Sequence, residues 1–287
     1  MTPATQRSPL YFALRRFGDN KAAVVSGLIL AVTILMAIFA PLIGKTGYAD
    51  QKYLTEALAF PNGSHWFGID DLGRDFFTRI VFGARVSLSI GFAAALFSVL
   101  IGIPLGAIAG YYGGTADWCV MRLIELFSVV PPLLAAMLLG ALTNGGFVTI
   151  VLIAALFGWV QVCLLVRAQV KAVREKEFIR AAQALGAPPG YIIWRHLIPN
   201  SVSPIIVGFV LAIPLAMMLE ASLSFLGIGV APPTPSWGQM INVGMNFMYF
   251  YWHMAVFPTA ALAITVLATT LFGDGLRDAL DPTLKGR

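Results

Sequence analysis

The segment Glu175–Asn200 reads EKEFIRAAQALGAPPGYIIWRHLIPN, a polar and basic stretch that lies between two long apolar runs. We call it the polar segment. In the whole chain of 287 residues, 58% are hydrophobic and the mean hydropathy is +0.81. Charged side chains are costly to place in hydrocarbon, because they lose their hydration there. We therefore expect the polar segment to lie outside a membrane, where a partner can bind it.

Apolar runs long enough to cross a bilayer recur along the chain, and only 11% of the residues are charged. A hydrocarbon core about 30 Å thick requires roughly 20 apolar residues per helix. The runs that meet this requirement are Ala22–Ile43, Val86–Gly110, Val120–Leu142, Phe147–Val166, Val202–Leu226 and His253–Phe272. Helices of a soluble core would carry polar faces, whereas these runs are apolar all round. The predicted fold class is all-α: a polytopic membrane protein with six transmembrane helices.

The first run must be distinguished from a cleaved signal peptide. The basic residues Arg15, Arg16 and Lys21 precede it, as they would in such a peptide. Its length of about 22 residues, however, exceeds that of a signal-peptide apolar region. The sequence Pro41-Leu42-Ile43 at its end also lacks the small-x-small pattern of a cleavage site. We read the run as a retained anchor.

Lysine and arginine are distributed unequally between the two sides of the predicted membrane. One side holds fourteen of the 19: four before the first run, one in the second-to-third loop, six in 167–200 and three after Phe272. The other side holds five. Because basic loops stay in the cytoplasm, both termini and the polar segment are expected there.

This orientation divides the chain into four parts. They are a cytoplasmic N-terminal segment (1–21), a first transmembrane helix with an extracytoplasmic loop (22–85), a transmembrane core (86–272) with a cytoplasmic loop (167–200), and a cytoplasmic tail (273–287).

Sequence patterns for catalysis and cofactor binding are sparse. Cys119 and Cys163 fall near predicted span ends, and with three scattered histidines they do not give a zinc spacing. Gly44-Lys45-Thr46 resembles the end of a phosphate loop, but Phe39 stands where its first glycine belongs. The net charge of +5 follows from topology and forms no clustered basic face for nucleic acid. We expect no enzyme activity, metal or cofactor on this chain, so that energy for any uphill transport comes from another chain.

The polar segment itself predicts two short helices. Residues 174–185 are rich in helix formers, and Phe178, Ala181, Ala182 and Leu185 recur at helical spacing to form an apolar stripe. Gly186 suits a left-handed helix end, and the prolines at 188 and 189 prevent continuation. A second helix is expected over 191–198, stopped by Pro199. The alternative interpretation is an ordinary cytoplasmic loop helix that lies on the membrane surface.

The polar segment resembles the "EAA" motif of ABC importer permeases through Ala181-Ala182-x-x-x-Gly186 and Pro199, thirteen residues further on. In that family the motif forms a coupling helix that docks on a cytoplasmic ATPase. This chain departs from the motif at Arg180, where Glu is expected, and at His196 and Ile198; Glu177, one turn earlier, is a substitute for the missing acid. The coupling residues that the resemblance implies are Glu177, Phe178, Arg180, Ala181, Ala182, Leu185, Gly186 and Pro199.

Three further motifs resemble the C-type subunit of dipeptide/oligopeptide/nickel permeases. They are HWFGIDDLGRD (65–75), ASLSFLG followed by PPTPSWG (221–227 and 232–238), and GDGLRDALDP (273–282). The resemblance implies the type I importer permease fold in a bacterial inner membrane. It also implies four kinds of partner: a B-type permease subunit, two ATP-binding subunits that hold ATP and Mg²⁺, an extracytoplasmic solute-binding protein and the bilayer. The implied solutes are short peptides, with nickel complexes or other small solutes as the alternative.

Glu220 is the most costly residue within the predicted spans, since an acidic side chain at a helix centre costs about 2.5 kcal/mol or more. Two interpretations stay open. Glu220 lines the translocation path near a peptide ammonium group, or it makes a hydrogen bond between helices or a salt bridge to a partner chain.

Several other features favour structural roles. Arg122 and Glu125 are spaced to pair within a helix. The segment 70–85 predicts a short interfacial helix, with Asp71 paired to Arg74 or Asp75 to Arg79.

Small residues at positions 102, 106 and 110 predict a close-packing face, and Pro131-Pro132 predicts a break in the third span. The loop 231–252, with its aromatic and methionine residues, is read as a boundary belt or as part of an external gate.

A secondary transporter is the rival class. It would show inverted repeats and several charges at the membrane midplane. The sequence shows one clear intramembrane charge and no convincing repeat, and a secondary transporter would leave the polar segment unexplained. A membrane-embedded enzyme would need clustered titratable groups within the spans, and none is visible in the sequence.

Overall fold

A computed structural model of the chain describes residues 9–143 and 145–280. Its helices are α1 (Pro9–Asp19), α2 (Lys21–Ile38), α3 (Ala40–Ile43), α4 (Phe76–Tyr112), α5 (Gly114–Val129), α6 (Pro132–Leu142), α7 (Phe147–Arg174), α8 (Glu177–Ala184), α9 (Pro189–Tyr191), α10 (Val202–Phe225), α11 (Trp237–Phe247) and α12 (His253–Leu280). A 3₁₀ turn (Leu54–Glu56), a π-helical stretch (Ile192–Leu197) and a second 3₁₀ turn (Pro199–Ser201) complete the described elements. Among these residues, five helices are long and apolar enough to cross a membrane, and a sixth span results when α5 and α6 are taken together. The predicted all-α, six-span class is confirmed.

Helices α4 and α7 pack closely along a face of small residues. A Cβ added to Gly102 would lie 2.7 Å from the Val162 Cβ, one on Gly106 would lie 2.6 Å from the Cys163 carbonyl oxygen, and one on Gly110 would lie 2.9 Å from the Arg167 carbonyl oxygen. The backbones of the two helices can approach this closely only because the side chains on that face are absent. The predicted close-packing face is confirmed.

The third span is broken where the two prolines stand. Helices α5 and α6 differ in direction by 78°, and both Val130 and Pro131 have extended backbones. A proline disfavours the helical conformation in the residue before it, which ends α5, and Pro132 opens α6 because the first helical position needs no N–H. The predicted break is confirmed.

The predicted pair of Arg122 and Glu125 is also present within α5. Arg122 Nη1 donates to Glu125 Oε2 on an exposed surface.

The segment before α4 differs from the expected interfacial helix. Helix α4 begins only at Phe76, and its amino end is capped by Asp75, whose Oδ1 accepts from the Thr78 N–H at 2.8 Å. Asp75 also pairs with His65 at 3.0 Å. The predicted Asp75–Arg79 pair is therefore wrong, because capping takes up the Asp75 carboxylate.

The residues before Asp75 form a buried turn around Asp70. The Asp70 carboxylate accepts from Arg74 Nε at 2.6 Å and lies 3.3 Å from Arg79 Nε. Of the predicted pairs, Asp71–Arg74 is present at 3.8 Å. Burial raises the pKa of Asp71, and the neighbouring Asp70 charge raises it further.

Helical structure extends beyond several predicted limits. Helix α1 lies in the predicted N-terminal segment, and α11 forms within the predicted loop 231–252. Helix α12 continues past Phe272 to Leu280, where Gly275 packs against Ala23 of α2. Residues 281–287 of the predicted tail lie outside the described residues. Helices α1 and α11 both pack against α12.

Candidate functional site

The polar segment is anchored to the helix bundle by one fully buried side chain of α8. Ile179 has no exposed surface and lies in an apolar cluster with Val170 and Val173 of α7. Residues of the π-helical stretch (Ile192 and Leu197) and of α4 belong to the same cluster. Sequence reasoning missed Ile179, because it lies between the positions of the apolar stripe. Its presence fixes which face of α8 turns toward the bundle.

The predicted apolar stripe of α8 consequently faces away from the bundle. Leu185 is 88% exposed and Phe178 is 43% exposed. Ala181 is also exposed and Ala182 is half-buried, so the centre of the stripe is shallow. The structure thus brings the stripe residues together on one accessible face, as the helical spacing predicted.

Gly186 ends α8 in the manner expected from the sequence. Its φ of +78° is left-handed. The Gly186 N–H donates to the Gln183 carbonyl, and the Ala187 N–H donates to the Ala182 carbonyl. This pair of bonds defines a Schellman motif, which satisfies carbonyls that the helix end would leave unpaired.

The second helix of the polar segment differs from the expectation that Pro199 stops it. The helical path continues from α9 through the π-helical stretch and the 3₁₀ turn at Pro199 into α10. The Ile198 N–H donates to the Ile193 carbonyl, five residues back. Pro199 has no N–H to continue the regular α-helical hydrogen bonds. The helix therefore changes to a π-helical turn before Pro199 and to a 3₁₀ turn at Pro199.

Aromatic side chains of this second helix extend the exposed surface next to α8. The His196 ring centroid lies 5.5 Å from that of Tyr191 and 6.4 Å from that of Phe178, so residues of both helices meet there. Trp194 is also largely exposed. We call the set Phe178, Ala181, Leu185, Tyr191 and Trp194 the coupling surface. Large apolar side chains that are exposed together mark an interaction site.

Charged residues of the polar segment are exposed as well. Arg180 Nη2 donates to Glu175 Oε2 at 2.8 Å, and both side chains are about two-thirds exposed. Exposed pairs of this kind contribute little to stability, about 0–1 kcal/mol. Glu177 lies exposed in the first turn of α8, and Pro199 is exposed where the helical path narrows. Both are accessible to a partner.

Glu220 lies apart from the coupling surface, inside the helix bundle. It has no exposed surface, and its Oε2 and Oε1 accept hydrogen bonds from Ser87 at 3.1 Å and Ser224 at 2.7 Å. Ser87 also accepts from the backbone N–H of Trp237 at 3.4 Å, so the network joins α4, α10 and α11. The interhelical hydrogen bond that sequence analysis left open is thus present. A place on the translocation path stays a prediction.

Solved structures with this arrangement of helices are membrane subunits of a transporter. Two inward-facing structures of the MetNI methionine ABC transporter contain a chain that superposes with TM-scores of 0.55 and 0.57. In both cases 71% of this chain is covered, and 96% and 97% of the respective other chain. The identity is 17%, so the likeness concerns the fold. The fold is that of an ABC importer permease.

Sequence comparisons define the family. Residues 102–286 match the family described as "Binding-protein-dependent transport system inner membrane component", and residues 8–61 match the "N-terminal TM domain of oligopeptide transport permease C". The chain belongs to this family of binding-protein-dependent ABC permeases, as a C-type subunit of its peptide-transport branch.

Curated relatives agree along nearly the whole chain. The oligopeptide permease protein OppC of Bacillus subtilis is 41% identical, over 95% of this chain and 89% of the relative. The dipeptide permease protein DppC of Alkalihalophilus pseudofirmus is 40% identical, over 98% and 92%. The glutathione permease protein GsiD of Pectobacterium atrosepticum is 39% identical, over 97% and 93%. The predicted family and the multi-pass membrane class are confirmed.

Proposed function

We propose that this chain is one of two permease subunits of an importer that moves short peptides across a bacterial inner membrane, driven by ATP hydrolysis on separate subunits. The single observation that carries the coupling role is the coupling surface: an exposed apolar face on a helix that Ile179 holds firmly against α7. A partner that displaces this face also displaces the helix bundle, because α8 cannot move without moving the buried Ile179 side chain.

The proposed orientation places both termini and the coupling surface in the cytoplasm. Support comes from the fourteen Lys and Arg residues on that side against five on the other. The ATPase subunits then dock on the coupling surface, and ATP and Mg²⁺ bind to them. This chain supplies no catalytic residue.

The proposed solute follows from the named relatives, whose names specify oligopeptides, dipeptides and glutathione. All three are short peptides or peptide derivatives. A soluble binding protein on the outer side delivers the solute, and a B-type permease subunit completes the path. Nickel complexes are the alternative solute within the same machinery.

Cysteine crosslinking tests the coupling role. Leu185→Cys places a thiol on the coupling surface of a variant in which Cys119 and Cys163 are replaced by alanine. Tyr249→Cys is the matched control, since Tyr249 is 91% exposed but lies in the turn between α11 and α12, at the opposite end of the bundle. With co-expressed ATPase subunits, we expect a crosslink from position 185 whose yield changes with ATP, and none from position 249.

Absence of any crosslink at 185 and its exposed neighbours, with the protein folded in the membrane, would contradict the coupling role. The polar segment would then be a surface helix, and a secondary transporter would be the reading to test next. The solute is tested by uptake of labelled di- and tripeptides against nickel in vesicles that contain the full complex.

A further inference from the structure

Three charged side chains join the first half of the broken span to the helix that carries the polar segment. Asp117 lies in the first turn of α5, and Arg167 and Lys171 lie one turn apart near the end of α7. Arg167 donates to both carboxylate oxygens of Asp117, through Nε to Oδ1 and through Nη2 to Oδ2, the latter at 2.8 Å. Lys171 Nζ donates to Oδ2 at 2.8 Å. We call this group the Asp117 clamp.

The geometry of the Asp117 clamp fixes the relative orientation of the Arg167 guanidinium and the Asp117 carboxylate as well as the distance between them. Two parallel bonds between a guanidinium and a carboxylate hold the two planes in one orientation. The Asp117 side chain is only 16% exposed, so water and salt screen the pair less than a surface pair. The Arg122–Glu125 pair is different, because it joins two residues of α5 and is exposed.

The joint between α4 and α5 does not by itself determine the direction of α5. It consists of Gly113 and Gly114, with φ of +65° and +49°. A Cβ at Gly114 would meet nothing within 4 Å. Glycines in open surroundings leave many backbone conformations accessible. Val120 and Ile124 pack the middle of α5 against Trp159 and Cys163 of α7 in an apolar cluster, and the Asp117 clamp fixes the end next to the joint.

The same helix α7 leads directly to the coupling surface. Its last residue, Arg174, lies over the Tyr111 ring at 5.9 Å, and α8 begins three residues later. Because Ile179 packs against α7, a displacement of α8 is passed to α7. The Asp117 clamp, together with the apolar contacts of Val120 and Ile124, then passes it to α5.

The second half of the broken span packs on a different part of the bundle. Ala136 of α6 lies in a cluster with Ile150 of α7 and Leu223 of α10, and Gly140 lies against Ile228. Both halves of the span therefore contact α7: α6 contacts the beginning of that helix, whereas the Asp117 clamp holds α5 near its end. The 78° bend lies between the two attachments.

We propose that Asp117 is a positioning residue for coupled transport: the Asp117 clamp makes α5 follow α7 when the ATPase subunits displace α8. This role rests on the proposed function, since it requires ATPases on the coupling surface. No sequence motif marks Asp117, and only the tertiary structure brings it to α7.

The test compares solute uptake with ATP hydrolysis in the same vesicles, reconstituted with the full complex and the binding protein. Asp117→Asn removes the charge and keeps the size of the side chain. We expect hydrolysis to stay within about twofold of the wild type and uptake to fall roughly tenfold, the order of a typical coupling between sites. Glu125→Gln, which breaks the ion pair within α5, is the matched control and leaves both rates unchanged.

A covalent bridge provides the rescue. In the variant without Cys119 and Cys163, thiols are placed at both ends of the Asp117 clamp, as Asp117→Cys with Arg167→Cys. A short bifunctional thiol reagent should restore uptake per ATP hydrolysed, because it ties α5 to α7 again. A monofunctional reagent of the same chemistry should not.

Two results would overturn the positioning role. One is unchanged uptake by Asp117→Asn. The other is a parallel loss of uptake, hydrolysis and complex assembly that the bridge does not reverse, which would make Asp117 a structural residue only. Failure of the proposed function is recognised separately, in the wild type, as absence of ATP-dependent uptake and of the crosslink at position 185.

Discussion

Replacing Gly106 by alanine tests the closest contact between α4 and α7. A Cβ at this position would lie 2.6 Å from the Cys163 carbonyl oxygen, 2.9 Å from the Val166 Cβ and 3.1 Å from the Arg167 amide nitrogen. Two of these atoms belong to the backbone of α7, and the third is the branch point of a stiff side chain. No rotamer change can relieve the overlap, so the two helices must separate.

Two opposing terms determine the size of the effect. Alanine is favoured over glycine inside a helix by about 1 kcal/mol. Forcing an extra carbon into a well-packed contact costs typically about 1–3 kcal/mol and occasionally more. Since the contact distances lie far below ordinary van der Waals separation and involve backbone, we expect the cost to exceed the gain. A cost of about 2–3 kcal/mol, the upper part of that range, less a gain of about 1 kcal/mol gives an expected net loss of about 1–2 kcal/mol.

The assay is thermal unfolding of the purified permease in detergent, followed by the loss of the folded peak in size-exclusion chromatography. A loss of 1 kcal/mol lowers the midpoint by about 2–4 °C for a chain of roughly this size. Gly18→Ala in α1 is the matched control, because a Cβ there meets nothing within 4 Å; its midpoint should stay the same or rise. A Gly106→Ala protein as stable as the Gly18→Ala protein would refute the close α4–α7 packing.

Three further substitutions have defined outcomes. Glu220→Ala should destabilise the protein by about 1–3 kcal/mol, because two buried serine hydroxyls lose their acceptor, whereas Glu220→Gln should cost less in the same thermal assay. Asp70→Asn should cost about 3–5 kcal/mol, because it removes the nearest carboxylate of two buried guanidinium groups; a change below 1 kcal/mol in urea unfolding would contradict this account. Gly186→Ala should cost about 1–2 kcal/mol through its left-handed backbone and reduce the crosslink at the coupling surface. Gly190→Ala, where a Cβ also meets nothing within 4 Å, should leave the crosslink unchanged.

Much of the site could be read from local sequence. Gly186 was placed correctly because a left-handed helix end strongly favours glycine. The stripe from Phe178 to Leu185 was found because helical spacing alone puts these residues on one face. Whether that face turns toward the bundle or away from it was not predictable, because the answer depends on where Ile179 packs. That contact involves residues of α7 which lie outside the polar segment.

The turn around Asp70 is a case in which local sequence spacing led to a wrong prediction. Local spacing suggested that Asp75 pairs with Arg79, but Asp75 caps α4 and pairs with His65. Arg79 turns to Asp70 instead. Spacing along a helix predicts which side chains can meet only after the start of the helix is known.

The sequence by itself determined the class of the protein, the number of spans, the break at Pro131-Pro132 and the exposed polar segment. These features depend on hydrophobic length, on the missing N–H of proline and on the cost of charge in lipid, all of which act locally. Tertiary structure alone decided the partners of Glu220, the anchoring by Ile179 and the Asp117 clamp. Such contacts join residues far apart in the chain, so they exist only once the helices have packed.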